Sequence, residues 1–447
     1  MMKRKGETQN LVMIVLDTLR EDAANGLEDL LKLGFTSVGP VYSPSSWTLP
    51  SHVSLFTGLL PSAHGIHESE RYHIRNINAL VQDGTTADKM GLLRIAREGG
   101  YTTYCLTSNP LISPRYGFSF DFHRIYDSRG DATNHSEITS GDSPRLSMAA
   151  SLIVEKKFGP LARLVYDNQF RRNASRLLGK PPLEKGSRFI IHDLKGLELK
   201  EPFLLFINLM EAHPPYSWHE RPSRLIQLDS ILGRQFPQEQ SWTVKYYLHA
   251  GLAVRRAIEI VKLLESYFNR STFVVTSDHG QLLGESGRYD HGYFLDDCLV
   301  RVPLFLRFSD TPVSGGREMG PISLADVPRL VLDSHNHEET LSRPEAVVSE
   351  SYGPIWDFGK DANNLEANDL TKLAAASACR IRVTARTWSA IYNLSEKRIE
   401  FSNGVIVKDV LDSCIREFKE RYQSIPFRMD TRDAREIESR LRQLGYE

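Results

Sequence analysis

Several stretches of this 447-residue chain end an apolar run in side chains able to hold a cation or move a proton. LVMIVLD ends in Asp17, and TFVVTSDHG ends in Asp278 and His279. FLLFINLMEAH runs out into Glu211 and His213, and His291 follows soon after in YDHGYF. Hard carboxylate oxygens beside imidazole nitrogen suit Zn²⁺, Mn²⁺ or a related ion. Taken singly, a DHG triplet is by default a turn, and a strand-end Asp is commonly a cap for the next helix. A further stretch, SWTLPSHVSLFTG, sets a hydroxyl, Thr48, at the head of an apolar run that stops at Gly58. Thr is a favoured N-cap, Pro50 is tolerated in a first turn, and Leu49, Val53 and Phe56 share one helical face. The spacing thus predicts a helix capped by Thr48. Chemistry is compatible with that role, because a helix N-terminus offers N–H groups and the positive dipole end to an anion. A Thr hydroxyl becomes a useful nucleophile only when a base or a metal lowers its pKa.

Those residues must be brought together by a fold. The runs at 11–17, 203–210 and 272–278 are continuously apolar, as central parallel strands buried on both faces are. In open α/β sheets the site lies beyond the carboxyl ends of the strands. Asp17, Thr48, His213, Asp278, His279 and His291 would then share one sheet edge, as a metal site built for a tetrahedral anion. Helical spacing is predicted over 85–100, with a Gly stop, and over 244–268. Residues 127–200 turn polar and then basic and amphipathic, which predicts an insertion of loop and helices over the main domain. Its basic face is either solvated or a lid contacting an anionic substrate or a membrane surface. A strand and helix are expected over 322–333, a strand over 346–353, hairpin strands over 380–394 and a charged helix over 431–444. The chain thus divides into a catalytic α/β domain, 1–370, and a small α+β appendage, 371–447.

Composition narrows the function classes. Lys and Arg total 55 against 56 Asp and Glu, a formal net charge of −1. The basic excess of a nucleic-acid binder is missing. Cys105, Cys298, Cys379 and Cys414 lack CxxC spacing, which argues against a zinc ribbon or a disulfide framework and for a reducing compartment. The first apolar run is too short for a signal peptide or a bilayer span, so a cytoplasmic protein with no transmembrane segment is expected. Oligomeric state is not legible.

In their order, LVMIVLDTLRED, SPSSWTLPSHVSLFTGLLPSAHGIHE, AREGGYTTYCLTSNP, FLLFINLMEAHPPY, TFVVTSDHGQLLGESGRYDHGYFLDDCLVRVPLFLR and ISLADVPRLVLD resemble the sulfatase-like branch of the alkaline phosphatase superfamily. The resemblance spans roughly residues 11 to 333. It implies an alkaline-phosphatase-like sandwich, with a large central mixed sheet flanked by helices and a small C-terminal α+β subdomain. It also implies metal ligation by Asp17, Asp278 and His279, with Thr48 as a nucleophile that touches the metal. His213 and His291 match positions that hold anion oxygens or protonate the leaving group. Asn109, in LTSNP, matches a substrate-contacting position, with a structural turn as the alternative. One divalent ion (Mn, Zn, Ca or Mg) is implied. A second is the lesser alternative, with Glu211, His213 and His291 as its ligands.

Departures from the family pattern set the expected chemistry. The C/S-x-P-S-R motif, whose first residue is matured to formylglycine, here reads Thr48-Leu49-Pro50-Ser51-His52. Thr is not oxidised by that maturation, and His52 stands in the anion-contacting place of the Arg. Thr18 replaces a second acid, and His291 replaces a Lys. These changes resemble the phosphoesterase and phosphoglycerol-transferase members. The expectation is a metal-dependent hydrolase or transferase acting on a small anionic phosphate ester through Thr48. The alternatives are a sulfatase working without formylglycine and a non-catalytic binding protein.

Overall fold

The computed structural model describes residues 9–67, 91–126, 132–134, 184–217, 220–235, 239–309, 320–332, 344–356, 358, 361 and 364–424. Its centre is an eight-stranded mixed sheet. The strand order is Thr36–Ser37, Leu304–Arg307, Ser271–Thr276, Asn10–Leu16, Phe203–Leu209, Thr102–Thr107, Phe122–Tyr126, Ala132–Asn134. The five strands from Ser271–Thr276 to Phe122–Tyr126 run parallel, and the outer pairings are antiparallel.

Both faces of this sheet are covered, which explains apolar runs without alternation. In the first strand Val12, Ile14 and Leu16 point into one core with Tyr246, Ala250, Val254 and Ala257 of the helix Glu239–Leu263. Leu11, Met13 and Val15 point into the other, with Val53 and Phe56 of the helix Thr48–Thr57 and Leu92, Leu93 and Ala96 of Leu92–Glu98. The strands are therefore clamped between helix layers, and their carboxyl ends form one edge.

A second, four-stranded antiparallel sheet runs Ala346–Ser351, Arg380–Ala385, Ser389–Asn393, Arg398–Asn403. The helix Lys408–Ser424 packs Leu411, Ile415 and Phe418 onto it. The predicted hairpin is present, and the small sheet already begins upstream of residue 371.

Other expectations are adjusted. The long helix is Glu239–Leu263, so it starts and ends five residues earlier than its apolar spacing predicts, and a 3₁₀ turn covers Glu265–Arg270. The helix at 408–424, polar over much of its surface, was not predicted. The expected helix at 431–444, most of the expected insertion (127–131 and 135–183) and the start of the expected 85–100 helix lie outside the described residues. Among the described residues, no helix is long and apolar enough to cross a membrane.

Candidate active site

The site gathers where three neighbouring parallel strands end. Asp17 follows the Asn10–Leu16 strand, Asn208 lies in Phe203–Leu209, and Asp278 and His279 follow Ser271–Thr276. Asp17, Asp278 and His279 each offer a ligand atom within 4.8 Å of the other two, and all three are buried. The chain leaves the first strand through Thr18, whose φ of 59° is unusual for a β-branched residue. That turn aims the Thr18 N–H at Asp278 Oδ1 (3.1 Å), which the His279 N–H also reaches (2.9 Å). Tyr246 holds the turn by donating its hydroxyl hydrogen to the Thr18 carbonyl (3.0 Å).

The donor set fits a cation. His279 Nδ1 lies 2.9 Å from the Gly280 carbonyl, which can only accept, so Nδ1 carries the hydrogen and Nε2 presents a lone pair. That nitrogen stands 3.4 Å from Asp278 Oδ2 and 3.9 Å from Asp17 Oδ1. Asp278 Oδ2 has no hydrogen-bond partner although it is buried. Three electron-rich atoms converging in a water-poor site repel one another unless a positive ion lies between them. Accordingly, burial and the neighbouring Asp278 charge push the Asp17 carboxyl up to about 7. Burial likewise raises Asp278 to about 7, and it drives the His279 imidazole down to about 3.

Thr48 faces this group. Its Oγ1 is 3.3 Å from His279 Nε2 and 3.5 Å from Asp17 Oδ1. The predicted capping role is corrected here. Trp47 occupies the cap position without a side-chain cap bond, and Thr48 is the first helical residue. The strand-end carboxylate and imidazole draw the hydroxyl away from the helix amides. Gly58 does end the helix in the left-handed conformation.

His52 lies one turn further on, fully buried. Its Nδ1 is 2.9 Å from the Thr48 carbonyl, and its Nε2 is 3.3 Å from Asn208 Nδ2. Both ring nitrogens are engaged, and burial drives the ring down to about 3. His52 thus stands as a neutral brace under Thr48. Asn109 is placed in a similar way. Its Nδ2 donates to Asp17 Oδ2 (2.7 Å) and its Oδ1 accepts from the Leu111 N–H (2.9 Å), so it stands behind the carboxylate.

His213 and His291 come together on the far side, with ring centroids 5.1 Å apart. The His291 ring is 4.7 Å from that of His279. Burial holds His213 well below the usual imidazole range. Burial works the same way on His291, but the Asp290 carboxylate beside it reverses the sign, and the net shift is upward. Glu211 is directed elsewhere: its Oε1 accepts the Lys185 and Ser187 N–H groups, each at 3.0 Å.

Sequence reasoning missed several members. Asn208 donates towards Asp17 Oδ2 (3.4 Å) as well as contacting His52. A signal existed, since an amide interrupts the apolar run FLLFINLM. Buried Lys185 donates to the Glu211 carbonyl (3.2 Å) and to that of His213, and burial lowers its amine to about 8. Gln281 and Asp290 flank His291.

Residues 9–335 match the sequence profile of the sulfatase family. The chain belongs to the sulfatase family. It carries a candidate metal site formed by Asp17, Asp278 and His279. Solved structures share the fold at low identity. A 2-O GAG sulfatase is 11% identical with a TM-score of 0.58, over 95% of this chain and 96% of that one. The phosphonate monoester hydrolase of Agrobacterium radiobacter is 14% identical, TM-score 0.54, over 93% and 95%. That of Silicibacter pomeroyi is 13% identical, TM-score 0.53, over 94% and 96%. No curated protein sequence matches the chain significantly.

Proposed function

We propose that this sulfatase-family protein cleaves or transfers a small anionic phosphorus ester through Thr48. The observation that carries the reading is the Thr48 hydroxyl standing 3.3 Å from His279 Nε2 at the rim of the Asp17, Asp278 and His279 group. A divalent ion held by those three residues would lower the pKa of the hydroxyl and neutralise charge on a phosphoryl oxygen. Thr48 Oγ1, its proton given up to solvent, attacks phosphorus in line. His52 and Asn208 keep the Thr48 turn in place, and Asn109 and Asn208 orient Asp17. His213 and His291 bind anion oxygens, and one of them supplies a proton to the departing oxygen. Water or another alcohol then takes the phosphoryl group from Thr48.

Two features favour phosphorus over sulfur. Position 48 carries a residue that formylglycine maturation does not oxidise. Position 52 carries a buried neutral imidazole with both nitrogens engaged, where an aldehyde hydrate calls for a cation. The membership itself keeps sulfate-ester hydrolysis without formylglycine as the second reading. The retained Asp17, Asp278 and His279 group speaks against a non-catalytic role. Four free thiols accord with a reducing, cytoplasmic setting.

The test is a panel of aryl phosphates, phosphodiesters, phosphonates and sulfates, with intact-mass detection of a phosphorylated Thr48. Thr48→Ala should lower kcat on the phosphorus ester by on the order of 10³-fold or more and abolish the adduct. Unchanged metal-dependent turnover by Thr48→Ala would end the scheme, and turnover of sulfates alone would favour the second reading.

A further inference from the structure

We propose that Gln281 and Asp290 are positioning residues that lock the His291 ring with its Nδ1 hydrogen pointing at them. Nε2 is then the nitrogen that gives its proton to the leaving group, an inference that rests on the phosphorus-ester reading above. His291 Nδ1 lies 2.8 Å from Gln281 Oε1 and 3.0 Å from Asp290 Oδ1. The orientation of Gln281 is set independently of the ring, because its Nε2 lies 3.5 Å from Asp290 Oδ1, where only the amide nitrogen can donate. Two acceptors therefore face Nδ1, and that nitrogen holds its hydrogen in the neutral ring as in the charged one. The exchangeable proton is confined to Nε2, in a ring 4.7 Å from the His279 ring and 5.1 Å from that of His213.

Asp290 is retained against its own local preferences. It is fully buried, its Oδ2 has no hydrogen-bond partner, and its φ is 74° in a residue that is not glycine. A half-satisfied buried acid in left-handed backbone persists where the surroundings over-determine it, and such positions cluster at functional sites. The surroundings are tied together by hydrogen bonds. Gln227 Nε2 donates to the His291 carbonyl (2.7 Å). The Gln281 N–H donates to the Cys298 carbonyl (3.1 Å), and the Gln281 carbonyl accepts from Arg20 Nη1 (3.1 Å). Arg20 is itself tied to Asp22 at 2.7 Å and Glu285 at 2.5 Å.

In the reaction the bond from Thr48 Oγ1 to phosphorus forms while the bond from phosphorus to the leaving oxygen breaks. The electron pair stays on the leaving oxygen, which takes the proton from His291 Nε2. The ring is left neutral, with Nδ1–H still on Gln281 and Asp290.

The experiment has two arms. The first measures kcat/KM for a series of phosphonate monoesters running from 4-nitrophenol to simple alkyl alcohols as leaving groups. It uses wild type, Asp290→Asn, Asp290→Gly and Gln281→Met. Asn and Gly both tolerate left-handed backbone, so the loop conformation is kept. The variants should lose on the order of 10²-fold on alkyl leaving groups and less than about tenfold on 4-nitrophenolate, which departs without a proton. An equal loss across the series would mean a merely structural role and would overturn the proposal. The second arm reads histidine ¹⁵N shifts in the resting wild-type protein, with His291 assigned from the signal lost in His291→Gln. The shifts are followed up to a pH at which the ring is neutral: a neutral ring that keeps its hydrogen on Nδ1 supports the proposal, and one that keeps it on Nε2 overturns it. This arm needs neither turnover nor a folded Asp290 variant. A wild type inactive on every phosphorus ester would therefore sink the functional reading while the tautomer is still judged.

Discussion

At the scale of single residues, the site is a set of costs that one bound cation would relieve. Asp17 and Asp278 are both held up near 7 by burial, Asp17 also by its neighbour's charge. In the ion-free protein, their contribution to stability is present below the unfolded value of 3.8. It is lost as pH rises through about 7, because the unfolded carboxyls ionise first. A divalent ion binds the ionised pair, so protons compete with it on the acid side. Apparent metal affinity should therefore be level above pH 7 and weaken below it, by up to about tenfold per pH unit for each proton displaced. Calorimetric titration of chelator-stripped protein between about pH 5.5 and about pH 8 reads this directly, and an affinity independent of pH would contradict it. The ion's stabilisation of the fold should accordingly be largest above pH 7.

At the scale of elements, the geometry depends on how closely the turn after Ser271–Thr276 approaches its neighbour. The Gly280 N–H donates to the Leu299 carbonyl at 2.7 Å, and a Cβ on Gly280 would lie 1.9 Å from the Cys298 carbonyl oxygen. Backbone cannot yield as a side chain can, so any larger residue must push the DHG turn off the strand ends. Gly280→Ala should lower unfolding stability by about 3 kcal/mol and weaken metal binding, since His279 is the preceding residue. Urea unfolding followed by metal titration checks both, and a variant as stable as wild type would show that the turn has room to move. The neighbouring helix Thr48–Thr57 is buried along its whole length, which is why it holds Thr48 still without a capping bond.

At the scale of the whole molecule, the small sheet is stapled to the main body through a buried acid. Glu350 accepts from the Ser62 N–H (2.6 Å), the Ser62 hydroxyl (2.7 Å) and the Tyr352 hydroxyl (2.7 Å). Arg421, from the helix Lys408–Ser424, stands 4.0 Å away and donates to Ser62 Oγ at 3.0 Å. Glu350→Ala strands three buried donors at once, and the expected loss is about 3 kcal/mol or more in chemical denaturation. A change within about 0.5 kcal/mol would mean that the two sheets hold together without it.

The sequence by itself determined three central strands, the residues at their ends and the family. Apolar runs without alternation require a sheet covered on both faces, and chain direction puts Asp17, His213 and Asp278 just beyond its carboxyl edge. It also carried the departures at Thr48 and His52 on which the proposed phosphorus-ester reading rests. Only the tertiary structure decided which atoms face one another. The brace of His52 on Thr48 and Asn208, the backing of Asp17 by Asn109, and the lock of Gln281 and Asp290 on His291 join residues up to 156 positions apart. Periodicity reports which side of an element is buried. Hydrogen-bond partners are set by the packing of one element on another, and SWTLPSHVSLFTG reads equally well as a capped helix until the strand ends carrying Asp17 and His279 are set against it.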